Sequence, residues 1–179
     1  MMKTFPLVFI AFALSFNSYS QDVTLTKGET IQYLDKIVKQ TVGQTFKTSY
    51  GFLGNSGTIG EVKEAYIKET STGIEVFYEI KGSFIWQRKL KFHPKYIKTI
   101  INHKNNLSST VNGVDITLIG NLCNYEYYAR DYGGVVGSGT VAQLSIIFLQ
   151  EDPKNFERLK KALLHLQALY KAEDDPFDN

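Results

Sequence analysis

Apolar and polar positions alternate through the middle of the chain. Ile74, Val76, Tyr78 and Ile80 interleave with Glu75, Phe77 and Glu79. Phe84, Trp86, Leu90 and Phe92 share a face opposite Gln87, Lys89 and Lys91. Val114, Ile116 and Leu118 alternate with Asp115 and Thr117, and Ala142, Leu144, Ile146 and Phe148 with Gln143 and Ser145. A two-residue period is that of half-buried strands. Ser71-Thr72-Gly73 and Lys81-Gly82-Ser83 suit tight turns between them, and Asn112-Gly113 is a strong hairpin signal. His93-Pro94 breaks one strand and predicts an edge or a bend. Glycines at 51, 54, 57 and 60 fall in a polar stretch that reads as a flexible loop.

Both ends follow a helical period instead. Thr26-Lys27-Gly28-Glu29 is a capping box, in which the Thr26 hydroxyl accepts from the Glu29 amide and the Glu29 carboxylate from the Thr26 amide. Ile31, Leu34, Val38 and Thr41 or Val42 follow at helical spacing, and Gly43 stops a helix predicted over 27–42. Near the other end, Asp152 is a suitable N-cap and Pro153 a suitable first residue. Phe156, Leu159, Leu163, Leu166 and Tyr170 then form a stripe, with Arg158, Lys160 and Lys161 on the other side. Two heptads are too few for a coiled coil, so the stripe is expected to lie on the sheet.

The expected fold is therefore α+β. It has an N-terminal helix, about seven antiparallel strands in one strongly curved sheet or partly open barrel, and a C-terminal helix packed on it. The order is similar to the pleckstrin-homology-like barrel, seven antiparallel strands closed at one end by a C-terminal helix. The early helix and the break at His93-Pro94 depart from it, and a lipocalin-like or cystatin-like sheet stays open. Residues 26–34 and 152–166 also resemble the two ends of small exported proteins of Bacteroidetes. That resemblance implies a periplasmic or secreted protein and brings no activity.

The first twenty residues read as an export signal. Lys3 supplies the charge, Phe5–Phe16 the apolar run, and Ser18-Tyr19-Ser20 the small residues before a cut at Gln21. The run is short of the about twenty residues that span a bilayer, and no other stretch is apolar enough. The expectation is one exported domain over 21–172, not membrane-spanning, followed by a disordered acidic tail over 173–179. Cys123 is the single cysteine among 179 residues, so no internal disulfide can form, and it reads as a small buried hydrophobe.

Twenty basic side chains against 18 acidic ones leave a net charge of +2, which argues against a nucleic-acid partner. The distribution is uneven. No acid lies between Glu79 and Asp115, where Lys81, Arg88, Lys89, Lys91, Lys95, Lys98 and Lys104 all fall. Such a stretch forms either a solvated face or a basic patch for an anionic ligand. Tyr125, Tyr127, Tyr128 and Tyr132 surround Arg130, and alternation puts Tyr125 and Tyr127 on one face. They pack across strands or present a binding surface. The candidate binding residues are Arg88, Lys89, Lys91, Lys95, Lys98, Tyr125, Tyr127 and Arg130.

Catalytic signatures are missing from the sequence. Gly-x-Ser-x-Gly does not occur, and His93, His103 and His165 are scattered. One cysteine and no i, i+4 histidine pair give no metal site, and no cofactor is expected. Glu75 and Glu79 share a strand face about 13 Å apart, too far for a glycosidase pair, and are expected to face solvent. Gly133–Gly139 lacks the Lys-Ser/Thr of a phosphate loop and reads as a mobile hairpin tip. Three roles stay open: a non-catalytic binding or interaction module for a protein or anionic ligand, a hydrolase assembled only by the fold, and a small-molecule or lipid binder using the sheet interior. A structural envelope role is a variant of the first. A pocket gathering His93 or His103 with a carboxylate and a hydroxyl favours the enzyme.

Overall fold

The computed structural model describes residues 25–47, 59–103, 110–130 and 133–174. The expected export signal, most of the glycine-rich loop, Lys104, Tyr132 and the end of the acidic tail lie outside them.

The first helix, α1 (Lys27–Lys39), starts at the capping box, with Glu29 N–H donating to Thr26 Oγ1 at 3.3 Å and Thr26 N–H to Glu29 Oε2 at 2.8 Å. It buries Ile31, Leu34, Ile37 and Val38. It ends three residues earlier than 42, in a turn where Thr41 donates its hydroxyl to the Val38 carbonyl and Gly43 takes φ +85°.

Nine antiparallel strands follow among the described residues: β1 (Thr45–Lys47), β2 (Ile59–Thr70), β3 (Gly73–Lys81), β4 (Ile85–Phe92), β5 (Ile97–Asn102), β6 (Val111–Leu118), β7 (Cys123–Ala129), β8 (Gly134–Val141) and β9 (Gln143–Leu149). They make two sheets and no closed barrel. The larger has the order β1-β2-β3-β4-β7-β8 and the smaller β5-β6-β9. The chain crosses between sheets at bends. At His93-Pro94 a 3-10 turn over Pro94–Tyr96 swings the chain from β4 to β5. Ala142 bends β8 directly into β9, and its carbonyl accepts from Leu118 N–H at 2.7 Å.

Gly73 closes the β2–β3 hairpin as expected. Its φ of +126° and its closeness to the Phe92 carbonyl leave no room for a Cβ. Asn112-Gly113 corrects the expectation. It lies inside β6, with Gly113 paired to Ile147 of β9 and accepting from His103 N–H. A two-residue primed turn needs positive φ, which Gly113 does not have. Its neighbours Val111 and Val114 are fully buried, so strand packing overrides the local turn preference.

One apolar core fills the space between the sheets and helices. Ile74, Val76, Tyr78 and Ile80 of β3 point into it, with Leu90 and Phe92 of β4 and Val114, Ile116, Leu144 and Ile146 of the smaller sheet. Tyr78 is fully buried, and its hydroxyl accepts from Ile147 N–H at 3.1 Å, tying the two sheets together. The second helix, α2 (Asn155–Asp174), starts two residues later than Pro153. Asp152 instead accepts from Lys154 N–H and pairs with Arg158 just before it. Leu159, Leu163, Leu166 and Tyr170 are buried as the stripe predicts. α2 does not roof the sheet alone. It packs mainly on α1 and the 3-10 turn, and α1 is the helix that lies on β2. Glu173, expected in a disordered tail, belongs to α2 and pairs with Lys27 at 2.8 Å. No helix among the described residues is long and apolar enough to cross a membrane.

Candidate functional site

The cross-strand register places every residue of the larger sheet on one of two faces. Tyr78, Arg88, Tyr127 and Gly137 form one row on the core face, and Val76, Leu90, Tyr125 and Gly139 the next. Glu75, Lys91, Asn124 and Thr140 form a row on the outer face, and Phe77, Lys89, Glu126 and Ser138 another.

The six basic candidates are thereby dispersed. Arg88 is 3 % exposed and lies on the core face, with its guanidinium 5.6 Å from the Tyr127 ring centre. Burial pulls its pKa below the ordinary value, opposed by Tyr127, Tyr78 and Cys123 around it. Strict alternation already puts position 88 with Trp86 and Leu90, so this placement is legible in the sequence. Lys89 and Lys91 face outward, but each meets an acid from a neighbouring strand, Glu126 at 3.9 Å and Glu75 at 3.6 Å. Lys95 sits in the 3-10 turn with its ammonium 5.0 Å from the Tyr96 ring centre, and Lys98 is exposed on β5 in the other sheet. Arg130 approaches Glu79 at 4.0 Å on the outer face. A run without acids in sequence is thus not a surface without acids, because β3 and β7 supply them.

Glu75 corrects a second expectation. It is 5 % exposed instead of facing solvent. Its Oε1 accepts from Tyr66 Oη and Lys68 Nζ, both at 3.0 Å, and Tyr66 stacks on Phe77 at 4.8 Å. Burial opposes ionisation, but the Lys68 and Tyr66 hydrogen bonds, with Lys91 nearby, outweigh it and hold the carboxyl below its usual range.

Tyr125 and Tyr127 do share a face, with ring centres 5.1 Å apart. They lean over β8. A Cβ at Gly139 would meet Tyr125 Oη and Cε1 at 3.2 Å, and one at Gly137 would meet Tyr127 Cδ2 at 3.7 Å. The glycine run is therefore a strand that leaves room for two tyrosine rings. The expected mobile tip shrinks to the turn at Gly133, where φ is +67°. Lys91, Asn124, Tyr125, Glu126, Ser138, Gly139 and Thr140 line an open depression of about 350 Å³ along the same two strands.

β8 is also the edge of the larger sheet. Over eight residues it carries no charge and no proline, and Val135 and Val136 are about half exposed. Other strand edges are guarded. β1 is three residues long and ends at Lys47. The free side of β2 is covered by α1, where Asp35 Oδ1 accepts from Ile67 N–H at 2.9 Å. β5 carries exposed Lys98, and the Ile147 amide of β9 is taken by Tyr78. Sheet edges are normally protected by such devices. Among the described residues, the device on β8 is a bulge at Val136, between the Tyr127–Gly137 and Tyr128–Val135 pairs.

The histidines do meet polar groups. His103 Nδ1 donates to Asp115 Oδ2 at 2.8 Å, and Ser145 Oγ donates to Asp115 Oδ1 at 2.6 Å. The carboxylate stands between the other two. A nucleophilic serine needs the imidazole on its own hydroxyl, and here that hydroxyl is committed to the acid. His93 lies against Tyr170 at 4.7 Å, and His165 donates to the Leu25 carbonyl at 2.7 Å. Cys123 is buried, and that burial pushes its thiol up to about 11 against the opposing effect of Arg88. Among the described residues no three His, Cys, Asp or Glu side chains are grouped to hold a metal ion.

Comparison with family models, curated proteins and solved structures finds no match to this chain.

Proposed function

We propose that this protein is an exported, non-catalytic interaction module whose contact surface is the β7–β8 flank of its larger sheet. One observation carries the reading: β8 is a long, uncharged sheet edge beside half-buried tyrosines, while the other strand edges among the described residues are guarded. An unpaired row of backbone amides and carbonyls is a template for another strand. Tyrosine adds apolar area with a polar tip, the composition that favours protein contacts. The scattered, acid-paired lysines support an uncharged partner surface over an anionic ligand. The order Ser145–Asp115–His103 supports binding over hydrolysis. Export rests on the N-terminal charge, apolar run and small residues. The likeness to a pleckstrin-homology-like architecture is supported by a strand array followed by a C-terminal helix.

A photo-reactive residue placed at Val136 tests the contact surface in intact cells. Exposed Ile101 on β5, at 47 %, is the control position. The reading predicts covalent adducts from position 136 well above those from 101. Equal yields at the two positions contradict it.

A further inference from the structure

We infer that the partner of the β8 edge is a second copy of this chain, paired antiparallel about a two-fold axis at Ser138. The inference rests on the β7–β8 flank being a contact surface, and it specifies what occupies it.

A two-fold interface presents the same patch twice, so the patch must complement itself. The sequence of β8 meets that condition. Read outward from Ser138 as far as the bulge, Gly137 matches Gly139 and Val136 matches Thr140. In the antiparallel pairing, β-branched residues oppose β-branched residues, which is favourable across strands. No like charges are brought together, because the strand has none.

The tyrosines argue for the same register. Tyr125 extends its hydroxyl end over Gly139, toward the open edge of the sheet. Pairing about Ser138 sets Gly139 beside Gly137 of the partner subunit. Those two glycines make a floor two strands wide, about 5 Å per strand, between Tyr125 and Tyr127 of the partner subunit. Larger residues at 137 and 139 would separate the rings from the seam. Glycine is otherwise unfavourable in a strand, so its use at both positions has a physical reason. The bulge at Val136 ends regular pairing there, and the two-fold symmetry closes the assembly at two copies instead of a fibre.

The experiment is sedentimentation of the mature protein from about 1 to 200 μM, with Ser138→Lys and Ser138→Cys beside the wild type. Ser138 is exposed on the outer face, and circular dichroism checks that both variants fold. The inference predicts a concentration-dependent dimer for the wild type and at least a tenfold weaker one for Ser138→Lys. It also predicts a disulfide-linked dimer of Ser138→Cys on mild oxidation, since the buried Cys123 does not compete. Thr140→Lys serves if Ser138→Lys misfolds. A monomeric wild type overturns the inference, as does a dimer that neither lysine variant weakens or a Ser138→Cys protein that does not cross-link. A monomer that still gives adducts from position 136 in cells overturns self-pairing alone and leaves the contact surface standing. A monomer without such adducts overturns both.

Discussion

Two side chains show how environment sets behaviour at the residue scale. Glu75 is nearly buried, yet hydrogen bonds from Tyr66 and Lys68 and the nearby charge of Lys91 keep it ionised. A carboxyl held below its ordinary pKa in the folded state contributes stability above the unfolded value, and that contribution is lost as pH falls through the folded value. Glu75→Gln should therefore lower stability at neutral pH by about 1–3 kcal/mol, because Lys68 and Lys91 lose their charge partner and Tyr66 keeps only a neutral one. The difference from wild type should shrink as the solution is acidified past the ordinary carboxyl value and through the lower folded one, where the carboxylate is neutralised in the folded state as well. Urea titrations at pH 7 and pH 3 measure this, and a difference that does not change with pH contradicts the ion-pair account. Cys123 behaves in the opposite sense. Buried, with its thiol pushed up to about 11, it should resist a thiol reagent at pH 8 until the protein unfolds. Labelling in the native state at the rate of a free thiol contradicts that placement.

Elements were legible in the sequence where one periodicity held without interruption. The β3 alternation, the capping box of α1 and the Leu159–Tyr170 stripe of α2 all reappear in the structure, because each satisfies its backbone and buries its apolar face locally. β2 was not legible. Its core contacts are Val62, Ala65 and Ile67, and a register shift between Val62 and Glu64 turns the two-residue period into a three-residue step. Asn112-Gly113 misled for the converse reason, since a strong local turn signal was overruled by neighbours on both sides of β6. The candidate site was half legible. Tyr125 and Tyr127 follow from alternation, but the guarding of other edges depends on Asp35 and Tyr78, which reach across more than thirty residues of sequence to Ile67 and Ile147. Nothing local in the sequence reports such partners. The basic stretch failed for the same reason, because its counter-charges come from β3 and β7.

At the scale of the whole molecule, the core and the contact surface occupy different ends of one sheet. From β3 to β8 the core-face rows pass from full burial at Tyr78 and Val76 to half-buried Gly137 and exposed Gly139. Helices and the smaller sheet cover the first end, so stability resides there. The second end carries little of the core, which leaves it available for a partner without loss of the fold. Amide hydrogen exchange over residues 134–141 tests that division most directly. At high concentration the wild-type amides of β8 that point away from β7 should exchange slowly, and dilution or Ser138→Lys should bring those amides close to the free-amide rate while the amides bonded to β7 and those of β3 stay protected. Exchange over 134–141 that is independent of concentration and unchanged by Ser138→Lys would contradict the account.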